Sequence, residues 1–172
     1  MNKIAVFGKP GSGKSRLSRL VSQRLGVPLT HLDSVMYRAD GKVVDKQTLN
    51  ETHQGLVDSA CWVIDGLGPM PLFNARLDAA DTLIYIELSY LTSYWLVTKR
   101  LLKGFFVRPE GWPVGSSLLK GTWQSYKTLR LCPSFWNREF LNRLNKNHSD
   151  KKIIVLRSLR DMDIFIKQLE QR

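Results

Sequence analysis

An apolar run, KIAVFG at residues 3 to 8, meets a glycine-rich turn, GKPGSGKS, and at Lys14 the periodicity of the chain changes. A run that is apolar at almost every position suits a strand covered on both faces, as in a parallel sheet. Past the turn, Leu17, Leu20, Val21 and Leu25 fall at i, i+3, i+4 and i+8, one face of a helix, and Gly26 followed by Pro28 ends it. Strand, tight loop and helix in immediate succession restrict the fold more than any other feature of the sequence, because the loop must reverse the chain within a few residues.

Gly8, Gly13, Lys14 and Ser15 complete the pattern GxxxxGK[ST]. Glycines let backbone N–H groups wrap a phosphate, and the helix N-terminus adds positive potential. The lysine reaches the β- and γ-phosphates, and the serine hydroxyl ligates Mg²⁺. The candidate cofactor-binding stretch is therefore Gly8, Pro10, Gly11, Ser12, Gly13, Lys14, Ser15 and Arg16. A dinucleotide fingerprint fails here. Asp33 lies 20 residues past Gly13, as that motif asks, but Arg16 occupies the place of its third glycine.

The remaining chain alternates β-rich runs with helical periodicity, the pattern of a parallel sheet covered by helices. VPLTHLD (27 to 33) reads as a second strand ending in Asp33. Residues 49 to 60 carry Leu49, Leu56, Val57 and Ala60 on one helical face, with Thr48 and Glu51 spaced as a capping box. CWVIDG (61 to 66) is a third strand stopping at Asp65, and TLIYIEL (82 to 88) a fourth, with a short helix around LFNARLDAAD between them. Next comes a helix whose packed side is read as Leu91, Tyr94, Trp95, Thr98 and Leu102, and whose outer side carries Lys99, Arg100 and Lys103. GFFVRPEGWPVGSS (104 to 117) reads as a long loop, of the kind that forms lids or binding loops. Two more helical stretches follow, the second with Ser134 as its N-cap. KKIIVLRS (151 to 158) is the last strand, and a final helix turns Met162, Phe165, Ile166 and Leu169 inward.

Ligands of open parallel sheets bind at the carboxyl ends of the strands, so Asp33 and Asp65 are candidate site carboxylates. Each can hold Mg²⁺ through water, orient an acceptor hydroxyl or take its proton, or else merely cap a turn. Arg100 and Arg108 flank the long loop and could supply cations to a transferring phosphoryl group. Arg38 and Arg76 follow the two aspartates and either grip an anionic acceptor or form surface salt bridges. His31, His53 and His148 show no ligand spacing and receive no role.

The formal net charge is +11, and it is uneven. Residues 82 to 148 hold ten Lys/Arg against three Asp/Glu and four of the five tryptophans. Weak nucleic-acid binding through that segment is one reading of the excess. Cys61 and Cys132 lie 71 positions apart without metal-ligand spacing, which suggests reduced thiols in a cytoplasmic protein. The longest apolar-leaning stretch, at 88 to 98, is too short to span a bilayer, and no membrane partner is expected.

With GKPGSGKS, HLD, WVIDG, RLDAADTLIYIEL, KRLLK and KKIIVLRS in this order, the chain resembles the adenylate-kinase-like P-loop kinases, and among them the DNA topology modulation (FlaR-related) proteins. The resemblance implies an α/β, three-layer P-loop NTPase fold over a single domain, 1 to 172. It implies a five-stranded parallel sheet in the order 2-3-1-4-5, helices on both faces, and a helical or loop lid, about 99 to 130, between strands 4 and 5. It further implies ATP and Mg²⁺ as cofactors, with Lys14 and Ser15 as triphosphate and metal contacts, and Asp33 as an acceptor-side carboxylate. Asp65 becomes the metal-associated acid, Arg100 and Arg108 the lid cations, and the loop from Arg157 the adenine contact. The expected activity is phosphoryl transfer from ATP to a nucleotide or small molecule. The rival expectation is a nucleic-acid-associated regulator in which nucleotide binding is a switch or vestigial.

Overall fold

The computed structural model describes residues 1–38, 42–107 and 117–170. In chain order the elements are β1 (Lys3–Gly8), α1 (Lys14–Leu25), β2 (Leu29–His31), α2 (Leu32–Met36), α3 (Lys46–Asp58), β3 (Trp62–Asp65), α4 (Met70–Ala79) and β4 (Thr82–Ile86). They continue with α5 (Tyr90–Gly104), α6 (Leu118–Phe135), α7 (Arg138–Asn147), β5 (Lys152–Leu156) and α8 (Leu159–Glu170). The five strands pair in the order β2-β3-β1-β4-β5, every pair parallel. Among the described residues no helix is long and apolar enough to cross a membrane.

The unbroken apolar sequence of β1 follows from its central place. Ile4 and Val6 point to one face, where they meet Leu17 and Val21 of α1 and Met162, Phe165 and Ile166 of α8. Ala5 and Phe7 point to the other, against α3, α4 and the α6–α7 corner. Successive side chains of a strand alternate between faces, so burial on both leaves no polar positions. On the second face aromatic rings bind helices to sheet: Phe7 stacks on Tyr85 at 5.6 Å, and Tyr85 on Trp136 at 5.3 Å. Phe140 closes edge-on against Trp136 at 4.8 Å.

Several sequence expectations are corrected here. The second strand stops at His31, and Asp33 stands in the first turn of α2 instead of at a strand end. Helix α3 starts earlier than the capping box places it. Asp45 is the N-cap and accepts from the Thr48 amide at 2.9 Å, so Thr48 occupies the third helical position, while Ala60 lies exposed beyond the helix. Ser134 does not cap a helix, because α6 runs through Pro133 to Phe135 and the Ser134 hydroxyl donates to the Leu131 carbonyl at 2.7 Å. Asn137 caps α7 instead, accepting from the Phe140 amide.

The largest correction concerns α5. Its buried residues are Ser93 and Val97, whereas Leu91, Trp95 and Leu102 are 84, 60 and 56 % exposed. The reason is the glycine loop: a Cβ on Gly11 would sit 2.5 Å from the Ser93 carbonyl oxygen and 2.6 Å from Val97 Cγ2. So close an approach leaves room for small side chains only, and the bulky apolar stripe turns outward.

Candidate functional site

The loop between β1 and α1 opens at the carboxyl edge of the sheet's central strand. Gly11 and Gly13 have φ of 72° and 80°, left-handed conformations that disfavour any side chain. Gly13 is the N-cap of α1 and supplies no side-chain hydrogen bond, so no side chain competes for the first amides of the helix. Lys14 folds back over the loop, its Nζ donating to the Lys9 carbonyl at 2.9 Å. Burial lowers the Lys14 pKa, while Asp65 and Asp33 pull it back up. Lys14 is half-buried, whereas Lys9 is buried, 3 % exposed, with its Nζ 4.3 Å above the Tyr90 ring. Sequence reasoning assigned it nothing.

Strand pairing brings two further groups to the same edge. The β2–β3 register sets His31 beside Asp65, and His31 Nδ1 lies 2.9 Å from Asp65 Oδ1. Asp65 is 4 % exposed, and its Oδ2 is buried without a hydrogen-bond partner. A buried carboxylate oxygen left unpaired is costly unless another group approaches it. Asp33 faces the same cleft from α2: a Cβ on Gly66, the residue after Asp65, would lie 3.8 Å from its Oδ1. Asp33 is exposed at the mouth of the cleft; desolvation by the neighbouring protein raises its pKa, with Lys14 opposing and Asp65 reinforcing.

Arg100 enters from α5. It is not on an outer face, as the helical spacing had it. The guanidinium donates to Ser125 Oγ of α6 at 2.8 Å, and burial lowers its pKa while the Asp33 charge counteracts. Tyr94 and Tyr126 stack at 5.8 Å, and the Thr98 and Tyr126 hydroxyls meet at 2.6 Å. Helices α5 and α6 thus form one packed hairpin beside the loop. Lys14, Asp33, Asp65, His31 and Arg100 converge, and His31 is the member that sequence reasoning missed. Only its position two residues before Asp33 hinted at it.

The other candidates are more scattered. Arg76 is 1 % exposed and donates to the carbonyls of Gly66 at 3.0 Å and Leu67 at 2.6 Å, with burial lowering its pKa to about 10. It is not a surface ion-pairing residue, because the turn after β3 leaves two carbonyls with no sheet partner and Arg76 serves them. Arg38 is exposed and pairs with Asp45 at 3.4 Å. Arg16 is exposed near Asp163, at 3.9 Å. Arg157 follows β5 and donates to Glu87 at 3.0 Å. Pro10 and Ser15 are half-buried in the loop and at the start of α1, and Ser12 is fully buried. Arg108 and most of the long loop around it fall outside the described residues.

Strand order, the β1–loop–α1 unit and the placement of Asp65 agree with one known architecture. The fold is that of a P-loop kinase. A shikimate kinase from Bacteroides thetaiotaomicron superposes with a TM-score of 0.56 at 13 % identity, over 98 % of this chain and 96 % of that one. A gluconokinase from Sinorhizobium meliloti 1021 aligns at 12 % identity over 99 % of this chain and 94 % of that one, with a TM-score of 0.49. No family model and no curated protein matches the sequence.

Proposed function

We propose that the protein is an ATP-dependent phosphotransferase acting with Mg²⁺ on a small molecule or nucleotide, and that among such kinases it resembles the topology modulation proteins. The observation that carries the reading is the convergence of Lys14, Asp33, Asp65 and Arg100 around a glycine cradle. A general-purpose surface has no use for a half-buried lysine, two carboxylates and a half-buried arginine within electrostatic reach of one another.

The residues suit both cofactors. The Gly11 and Gly13 conformations leave a cradle that side chains would fill, and Asp65 presents an unpaired buried oxygen. Among the described residues no group of three His, Cys, Asp or Glu is set to hold a metal alone. That is in keeping with Mg²⁺, which retains several waters and binds through one or two protein groups plus phosphates. Ser15 and Asp65 would hold it, and it would supply positive charge to offset that of the phosphates.

The chain's own groups then divide the work. Loop amides and Lys14 hold the phosphates in line, and Arg100 offsets charge on the equatorial oxygens as the phosphoryl group moves. Asp33, with its raised pKa, accepts the proton of an acceptor hydroxyl. The α5–α6 hairpin acts as the lid and excludes water so that transfer outruns hydrolysis, and Arg108, outside the described residues, is its second cation. In this reading Arg38 would serve the acceptor and the loop from Arg157 the adenine, each after leaving its present carboxylate, Asp45 and Glu87. The test is titration of ATP·Mg²⁺ by calorimetry on the wild type and Lys14→Ala, followed by a screen of nucleoside monophosphates and hydroxylated metabolites for ADP release. Wild type that does not bind ATP, or Lys14→Ala that binds equally well, overturns the proposal.

A further inference from the structure

The outward face of the α5–α6 hairpin is unlike the rest of the surface. On α5, Leu91, Trp95 and Leu102 share one stripe, and Phe105 and Phe106, 63 and 90 % exposed, extend it past the helix end. Lys99 and Lys103 border that stripe and are exposed. On α6, Leu119, Trp123 and Leu131 are 61, 63 and 70 % exposed, interleaved with Lys120, Lys127 and Arg130. Neither helix carries an acidic residue. The stripe cannot turn inward, because the approach of Gly11 to Ser93 and Val97 fixes which side of α5 packs. Exposure at these positions is therefore built in, and large apolar patches left in water mark an interaction surface.

We propose that this face docks on an anionic lipid bilayer, in the plane of the headgroups. Three arguments select that occupant. Basic residues alone among the charged side chains of both helices call for a negatively charged partner. A second copy of the chain would present the same cations face to face. A nucleic acid would satisfy the charge and could stack on Trp95 and Trp123, but Leu91, Leu102, Leu119 and Leu131 have no ring to offer a base and would stay in water. A bilayer interface takes all three classes together: leucine and phenylalanine below the headgroups, tryptophan at their level, lysine and arginine on the phosphates. Lys127 Nζ lies 5.8 Å over the Trp123 ring, so a cation and an interfacial aromatic already share one spot. This departs from the sequence expectation of no membrane partner, which rested on the 88–98 stretch being too short to span a bilayer and did not weigh docking in the plane of the headgroups.

The test is flotation of the intact protein with vesicles of phosphatidylcholine alone or with about a third phosphatidylglycerol. Binding to the anionic vesicles should exceed binding to neutral ones about tenfold and fall severalfold as salt rises from about 0.05 M to about 0.3 M. Leu91→Ser with Trp95→Ser, and separately Lys99→Glu with Lys103→Glu, should each lower it about tenfold with an unchanged melting temperature. Because a serine pair could disturb the hairpin, brominated acyl chains offer an independent readout on the wild type, where tryptophan fluorescence should be quenched on anionic vesicles. Absence of vesicle binding, equal binding to neutral vesicles, or unquenched fluorescence overturns the proposal. So does tighter, variant-sensitive binding of a single-stranded oligonucleotide, which assigns the face to nucleic acid, or a dimer that the serine pair dissociates.

Discussion

Gly11→Ala and Gly26→Ala place the same methyl group at similar backbone angles in two settings, with φ of 72° and 66°. At Gly26, the C-cap of α1, nothing lies within 4 Å of the added carbon. Only left-handed strain remains, about 1–2 kcal/mol, offset by the smaller entropy of the unfolded alanine chain, about 0.4–1 kcal/mol. The net cost is about 0.5–1 kcal/mol. At Gly11 the methyl also collides with the Ser93 carbonyl and Val97, on the backbone and inner face of a packed helix that cannot swing aside. Overpacking adds about 1–3 kcal/mol, for a total of about 2–4 kcal/mol. At about 2–4 °C per kcal/mol for a chain of this size, Gly26→Ala should melt a few degrees low and Gly11→Ala about 5–15 °C low. Thermal unfolding by circular dichroism, with and without ATP·Mg²⁺, reads both effects. Nucleotide at a hundred times its Kd should stabilise wild type and Gly26→Ala by about 2.7 kcal/mol, and Gly11→Ala by far less, because the displaced loop loses its phosphate geometry. If Gly11→Ala is no less stable than Gly26→Ala, or keeps the full nucleotide effect, the contact between loop and α5 does not position the site.

If Arg100 acts on the transferring group as proposed, Arg100→Ala should lower kcat about 10²- to 10³-fold with little change in the KM for ATP, measured by coupled ADP release. The Asp33 pKa lies above its ordinary 3.8, so activity should fall as pH drops through that raised value, and Asp33→Asn should abolish the acidic limb of the kcat/KM profile. His53 is buried on α3, and desolvation, helped by Arg76, lowers its pKa from 6.5 to about 4. The unfolded chain then takes up a proton at a pH where the folded chain does not, so stability is lost as pH falls from 6.5 towards 4. The limit is about 3 kcal/mol, and screening leaves about 1–2; His53→Gln should flatten that part of a urea-denaturation series. Trp136→Ala removes the ring stacked on Tyr85 and should cost about 3–5 kcal/mol, read by the same denaturation.

The glycine loop was legible in the sequence because everything that makes it is local. A doubly buried strand, glycines at left-handed positions and a helix face at i, i+3, i+4 lie within 23 residues, Lys3 to Leu25. The strands were legible for the same reason, since burial on both faces leaves an apolar run wherever the strand sits in the sheet. The partnership of His31 and Asp65 was not, because parallel register joins residues 34 apart and no short-range pattern encodes it. Nor was the start of α2 at Leu32, which carried Asp33 off the end of β2 while keeping it in the cleft.

Helix α5 shows the division most clearly. Its sequence reads as an ordinary amphipathic helix with Leu91, Trp95 and Leu102 inward, and nothing within those residues argues otherwise. What turns the helix over is a neighbour some 80 positions away: Gly11 comes so near Ser93 and Val97 that only small groups fit between them. Periodicity tells which residues of a helix share a face. Which face is buried depends on the space the rest of the fold leaves, and here that choice brought Arg100 toward the site and left the apolar stripe outside.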